Sequence, residues 1–469
     1  MLTTDPILAL ARALERPDIA PIVAALGADA ELHLVGGSIR DAFLGRETHD
    51  LDFATKLLPD EVVQRLERAS IRVIPTGLAH QTVTALVEVG SEPVEITTFR
   101  APGISTEKRV VAGNSIEQDL ALRDFTMNAL AWSVQRGAIV DPLGGVADIQ
   151  ARRIRAAGDA EQRFREDPLR IIRMIRFAAE LGFLIDEETK QAAGQLATLL
   201  SGVSVERIRE EFSKIIVSPR PADGLQSLLD LGILEIFLPE LATCAGFEQN
   251  RFHKADVFVH TLEVVERTRP DLVLRLSALF HDIGKPPTMT VDAVTGDRHF
   301  FRHEVIGADM TRDALERLRY SNDVNDQVTS LVRLHMRPIE AGPPGLRRLL
   351  RDTGDLFELW KELKVADTKA CKIDSDEVDE RMKQFEEAIA KVQAGPSVSP
   401  LSSLALRGKD LLALGFEAGP HIGEILRALH ERVLDDPELN TFEVLQQQLP
   451  AICQLLNVPL PTSAMRTSE

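Results

Sequence analysis

Asp50 and Asp52 stand two apart in the run Asp-Leu-Asp-Phe, and this pair is the strongest chemical signal in the chain. A strand puts residues i and i+2 on one face, so both carboxylates are expected to point the same way. Two like charges held that close are costly unless a cation lies between them, and hard oxygen ligands suit Mg²⁺. Upstream, the apolar Leu32, Leu34 and Val35 lead into Gly36 and Gly37, followed by a short helix with Ser38, Arg40 and Asp41. The glycine pair lets backbone N–H groups approach a phosphate with no side chain in the way. Asp-x-Asp alone is common in solvated turns, and Gly-Gly alone marks a turn. In this order they form a phosphate cradle beside metal carboxylates, the equipment of phosphoryl or nucleotidyl transfer.

A second group of residues bears on what would be transferred. Arg123-Asp-Phe-Thr-Met-Asn128 reads by itself as a helix start, with Asp124 or Thr126 as cap and Phe125 and Met127 in the core. Asp141-Pro-Leu-Gly-Gly145 reads as a turn. Glu166-Asp-Pro-Leu-Arg170 is expected to open a helix running through Arg173, Arg176 and Phe177, with Pro168 in its first turn. Asp167 and Arg170, three apart, would share one helical face. Cytosine and adenine both present an amino donor next to a ring-nitrogen acceptor, which an Asp acceptor beside an Arg donor matches. Uracil and guanine present the opposite pattern. Without context, such a pair is a plain helix salt bridge.

The elements that must position these groups fall into two regimes. Strand-like runs cover residues 32–35, 51–54, 71–74, 83–89, 94–99 and 138–140, mixed with short helices. Residues 101–121 are Gly-rich and polar and read as a mobile loop. From about Asp148 onward helical periodicity takes over, with apolar faces at 165–181, 205–217, 222–231, 257–267, 273–279 and 304–318. Residues 394–400 form a Pro/Ser linker, and 404–456 are helical again. Segregated elements disfavour a doubly wound fold.

Composition narrows the class. With 5% aromatic residues, extensive base stacking on aromatic platforms is disfavoured. The three cysteines, Cys244, Cys371 and Cys453, include no C-x-x-C, which argues for a reducing compartment and against a thiolate zinc site. No secretory start and no run of eighteen apolar residues is found, so a cytoplasmic protein with no membrane partner is expected. The net charge of −18 means that any RNA surface is local. Arg152, Arg153 and Arg155, and likewise Arg347, Arg348 and Arg351, read by default as solvated helix faces.

Taken together, the Gly36–Gly37 run with Asp50 and Asp52, the Arg123, Asp141 and Glu166 motifs, and Glu206-Arg-x-x-Glu-Glu-Phe-x-Lys214 resemble the class II tRNA nucleotidyltransferase family. Its bacterial members comprise CCA-adding enzymes, separate CC- and A-adding enzymes and related poly(A) polymerases. The resemblance implies an α+β fold. A polymerase-β-like nucleotidyltransferase head with a mixed sheet would span 1–147, and an all-α neck that selects the nucleotide 148–225. An HD-type helical body would follow at 226–395 and a helical, tRNA-holding tail at 396–469. It implies Mg²⁺ at Asp50 and Asp52, with Glu95 as a further carboxylate nearby. Gly36, Gly37, Ser38 and Arg40 would line the triphosphate, and Arg123 and Asp124 would meet ribose and phosphates. Asp167 and Arg170 would serve as a protein template for CTP and ATP, supported by Arg173 and Arg176. The implied partner is tRNA, and the chain is expected as a monomer or homodimer. The family usually has two arginines where this chain has Leu122 and Arg123, and often a tyrosine in the preceding loop.

Further on, His260 precedes His281-Asp-Ile-Gly-Lys-Pro286, and His303, His335 and Asp367 follow. This pattern resembles the HD phosphohydrolase superfamily. His260, His281, Asp282 and Asp367 would hold one divalent metal, and His303 with His335 a second, for hydrolysis of phosphate or cyclic-phosphate termini. The alternatives are a CC-adding, A-adding or poly(A)-adding enzyme, and an HD phosphohydrolase whose head only binds RNA.

Overall fold

The computed structural model describes residues 5–47, 51–77, 81–87, 93–101, 111–249, 255–371, 375–395, 401–461 and 464. The chain divides into two compact units, 1–237 and 238–469.

The first unit is built on a mixed seven-stranded sheet. Its strands are β1 (His33–Val35), β2 (Asp52–Thr55), β3 (Arg72–Gly77), β4 (Thr82–Leu86), β5 (Val94–Thr98), β6 (Ala131–Ser133) and β7 (Ala138–Val140), in the order β3-β4-β5-β2-β1-β6-β7. Strand β1 runs antiparallel to β2 and β6, and the central strand β2 runs parallel to β5. Leu34, Phe53, Ala54 and Ala131 are buried, so these strands are covered on both faces. The register pairs Val35 with Asp52. The glycine pair and the carboxylate are thereby brought to one end of neighbouring strands.

Two expectations for this region need correction. The strand begins at Asp52, not Leu51, and Asp50 lies outside the described residues. Residues 101–121 are not one loop: Arg100–Ala101 pairs with Val111–Ala112, and Ile116–Leu120 is a helix. Ile116 and Leu120, one turn apart, pack against Val35, Ala54 and Phe99. The strand Ala131–Ser133 was missed because all three of its residues are buried, which erases the alternation that marks a strand.

After the sheet the chain turns helical, with Ala160–Glu166, Leu169–Leu181, Glu187–Leu196, Val205–Ile216 and Pro221–Asp230. Leu169–Leu181 buries Ile171, Ile172 and Ile175, each worth about 2 kcal/mol in apolar area removed from water. Its arginines 170, 173 and 176 repeat every three residues on another stripe. Arg153 and Arg155 keep 46% and 40% of their side chains exposed while both bind Asp148, which is 1% exposed.

The second unit is helical apart from the short hairpin Thr290–Val291 with Arg298–His299. Val257–Arg267, Leu272–Phe280, His303–Arg317, Asn322–Leu334 and Phe357–Ala370 pack around one another. The helices Gly408–Ala413, Pro420–Asp435 and Phe442–Leu456 gather around Leu411, Ile425, Leu429, Leu445 and Leu449. Arg347, Arg348 and Arg351 join these two groups: Arg347 donates to the Leu434 and Asp435 carbonyls, and Arg348 and Arg351 pair with Glu431. Among the described residues no helix is long and apolar enough to cross a membrane.

Candidate active site and metal centre

A cleft of about 430 Å³ in the first unit gathers most of the singled-out residues. Gly36, Gly37, Arg40, Asp52, Arg123, Asp124, Asp167, Arg170, Arg173 and Arg176 all line it, joined by Arg100, Leu122, Asn128 and Phe177. Six arginines face three aspartates there, so the wall is cationic in a chain that is strongly acidic overall. Gly36 has φ +80°, and a Cβ on it would lie 3.2 Å from the Arg123 guanidinium. Any side chain would therefore fill the space between the glycine pair and the arginines, which is the fit a phosphate cradle requires. Ser38 does not reach the wall; it is buried, and its hydroxyl donates to the Val35 carbonyl at 3.3 Å. Glu95 lines an adjoining cavity together with Asp52, Arg100 and Arg123. The donors Asp52 and Glu95 are all oxygen, which suits a hard divalent ion.

The arginines are held by buried acids. Asp119, 1% exposed, binds Arg100 at 2.6 Å and Arg123 at 3.1 Å. Burial pushes its carboxyl up, but the charges of Arg123 and Arg100 outweigh that and hold it below the ordinary value. Arg40 donates to the Asn128 carbonyl oxygen at 2.9 Å, and the Asn128 amide donates to Asp124 at 3.1 Å. Arg173 binds the other oxygen of Asp124 at 2.7 Å, while Arg173 and Arg176 contact Glu211 at 3.6 and 2.7 Å. The Arg176 guanidinium carbon lies 3.9 Å from the centre of the Phe177 ring. Asp124 is thus part of a network, not a helix cap: Thr126–Asn128 is a 3₁₀ turn, and Thr126 donates to Asp148. Phe125 and Met127 are in the core as expected.

Asp167 and Arg170 both line the cleft, but they do not share a helical face. Asp167 is extended (φ −147°, ψ 98°) and closes the preceding helix, and the next begins at Leu169. The residue before proline is excluded from the helical region, and Pro168 imposes that here. Each side chain has a separate anchor. Asp167 accepts from Arg207 at 2.8 Å and from the Leu169 N–H at 3.2 Å. Arg170 donates to the Leu122 carbonyl at 2.9 Å and to Glu166 at 3.3 Å. Asp119, Asn128, Arg207 and Glu211 were not singled out from the sequence. Of these, Asn128, Arg207 and Glu211 lie inside motifs that could have flagged them, and Asp119 does not.

In the second unit six side chains from five segments converge. His281 and Asp282 follow Leu272–Phe280; His260, His303 and Asp367 lie on helices, and His335 ends one. His281, His303 and His335 each set Nδ1 against a backbone carbonyl three residues back, at 2.7, 2.8 and 2.6 Å. A carbonyl only accepts, so Nδ1 carries the proton and Nε2 turns its lone pair inward. The Nε2 atoms of His260 and His281 are 3.3 Å apart, and those of His303 and His335 3.2 Å. Burial pushes His335 down to about 3, hence neutral. Facing nitrogen lone pairs beside carboxylates are the donor set of divalent cation sites. Asp282 stands between the two pairs, with Oδ2 3.2 Å from His281 and Oδ1 3.3 Å from His303. Asp367 lies 3.2 Å from His260, and Lys285 2.6 Å from Asp282. Gly284 permits this packing: a Cβ on it would lie 2.3 Å from the His303 carbonyl oxygen.

Three family descriptions match along the chain: poly A polymerase head domain at 32–155, probable RNA and SrmB-binding site of polymerase A at 182–244, and HD domain at 257–380. The chain is 34% identical over 415 residues to the A-adding tRNA nucleotidyltransferase of Deinococcus radiodurans, covering 85% of this chain and 90% of that one. It belongs to the tRNA nucleotidyltransferase family. This nucleotidyltransferase is also 32% identical over 412 residues to the CC-adding tRNA nucleotidyltransferase of Thermus thermophilus, with 85% and 88% covered. Its fold matches the crystal structure of the Bacillus stearothermophilus CCA-adding enzyme in complex with CTP at a TM-score of 0.70 and 27% identity, over 97% of this chain and 99% of that one. Nucleotidyltransferase and HD domains typically use divalent metals, and the described residues offer groups able to hold them.

Proposed function

We propose that this nucleotidyltransferase adds C, C and A to tRNA 3′ ends from CTP and ATP. The observation that carries this reading is the cleft in which the glycine cradle and Asp52 share walls with Asp167 and Arg170. Gly36, Gly37 and Arg40 face the triphosphate, and Arg100 and Arg123 neutralise its charge. Asp167 accepts from the amino group of cytosine or adenine while Arg170 donates to the ring nitrogen. Because Arg207 and the Leu122 carbonyl hold them separately, each keeps its position without the other. Asp50 and Asp52, with Glu95 nearby, hold Mg²⁺, which when bound supplies activation of the RNA 3′-OH and charge stabilisation on the departing pyrophosphate. The helical tail, 396–469, holds the tRNA. The test is incorporation of labelled CTP and ATP into tRNA lacking its 3′-terminal CCA and into unrelated RNA. C then A, on tRNA only, supports the reading, and long A-tails on any RNA overturn it.

A second activity is favoured by the converging Nε2 atoms of the helical unit. His260, His281, Asp282 and Asp367 would hold one divalent ion, and His303 and His335 would hold a second. The supported chemistry is hydrolysis of phosphate or cyclic-phosphate termini, in which Lys285 offsets charge beside Asp282. Release of phosphate from 2′,3′-cyclic nucleotide ends by the metal-loaded chain, compared with a His281→Ala Asp282→Ala variant, tests it.

A further inference from the structure

We infer that Cys371 supplies a sulfur ligand to the ion at the His260–Asp367 end of the helical unit's cluster, making that end a nitrogen, oxygen and sulfur site. The inference rests on reading the cluster as a metal centre and adds a ligand that the His-Asp pattern does not contain. One ligand atom each of His260, Asp367 and Cys371 lies within 4.8 Å of the other two. Asp367 and Cys371 are four apart at the end of Phe357–Ala370, which stacks them on one helical face. The Cys371 N–H donates to the Thr368 carbonyl at 3.2 Å, fixing the residue at the close of that last turn. His260 contacts Asp367 at 3.2 Å from the neighbouring helix, so the three groups meet across two rigid elements.

The other cysteines have no such company. Cys244 donates to the Glu240 carbonyl, and Cys453 is packed among leucines of the tail helices. Neither belongs to any group of metal-ligating side chains among the described residues. The expectation that cysteine takes no part in metal binding rested on the absence of C-x-x-C. That spacing argument is blind to a single thiol delivered beside imidazole and carboxylate by the fold.

The chemical consequence is selectivity. Thiolate with imidazole favours borderline-soft ions such as Zn²⁺ over Mg²⁺, whereas the Asp282–His303–His335 group offers only nitrogen and oxygen. On coordination the S–H bond breaks, its proton leaves to the buffer, and a sulfur–metal bond forms, with no change of oxidation state.

Cobalt(II) added to the metal-free full chain tests the ligand by absorption. The wild type is expected to show visible d–d bands together with a thiolate-to-cobalt charge-transfer band in the near ultraviolet. Cys371→Ser is expected to keep the visible bands and lose the charge-transfer band, with helical circular dichroism unchanged. Cys244→Ser and Cys453→Ser should keep both. A cobalt-loaded wild type without the charge-transfer band, a band that persists in Cys371→Ser, or a wild type that takes up no cobalt overturns the inference. A charge-transfer band in a chain that hydrolyses no phosphate ester keeps Cys371 as a ligand and rejects only the hydrolase reading.

Discussion

Arg173 gives two N–H groups to one oxygen of Asp124, Nε at 3.0 Å and Nη2 at 2.7 Å, across 49 residues of sequence. The other Asp124 oxygen takes the Asn128 amide, whose carbonyl oxygen takes Arg40. Arg40 beside the glycine pair and the helix of Arg170 are therefore set by one chain of hydrogen bonds.

That half-buried pair should contribute to the acid sensitivity of the first unit. Burial raises the Asp124 carboxyl, but the Arg173 charge and hydrogen bonds from Arg173 and Asn128 outweigh it, so its folded pKa lies below 3.8. A depressed folded pKa means that the stabilisation is complete above about pH 4, the unfolded range, and is lost as pH falls through the folded value. Asp124→Asn should lower the unfolding free energy by about 3 kcal/mol at pH 7 and flatten the loss below pH 4. Urea titrations across pH 2.5–7 in steps of about half a unit check this; an unchanged acid limb would show the pair to be unimportant.

Nucleotide choice should depend on Asp167. Asp167→Ala removes the acceptor for the amino group and is expected to cut discrimination of CTP and ATP against UTP and GTP by about 10- to 100-fold. Arg207→Ala should weaken it less, since Asp167 keeps its bond from the Leu169 N–H. Competition between the four triphosphates for one tRNA end gives the ratio directly.

These anchors explain what the sequence could and could not disclose. Gly36, Gly37 and Asp52 were legible because their chemistry is local, and a short antiparallel register brings them together. The histidine cluster was legible because His281-Asp282 announces itself. Arg207 and Glu211 were opaque as partners because their contacts cross 40 and 38 or fewer residues respectively, and helical periodicity carries no tertiary address. Asp167 was assigned to the wrong element because its i,i+3 spacing to Arg170 was followed and the restraint of Pro168 on its neighbour was not. The triplet Arg347, Arg348 and Arg351 looked solvated because nothing in its own window names Glu431.

The two catalytic clusters should be separable. Asp52→Asn is expected to lower nucleotide incorporation on the order of 10³-fold while leaving cyclic-phosphate hydrolysis unchanged. His281→Ala Asp282→Ala should do the reverse. Parallel assays on the same preparations decide it, and a variant that loses both activities with its circular dichroism intact would contradict two independent sites.

Gly284→Ala tests the packing that gathers the second cluster. Its Cβ would meet the His303 carbonyl oxygen and the Gly307 backbone, so that helix must shift. Cost by overpacking is about 1–3 kcal/mol, and cobalt uptake at the cluster should fall with it. Retained uptake and an unchanged melting temperature would show that the close approach is not needed.

The most direct measurement of the central claim is the sequence added to a tRNA lacking its terminal CCA, incubated with all four nucleoside triphosphates and Mg²⁺ and read by sequencing the new 3′ ends. C, C and A are expected in that order, then a stop, on tRNA and not on unrelated RNA. Ends that halt at two C residues, A added only to tRNA already ending in CC, or unbounded A-tails would contradict it.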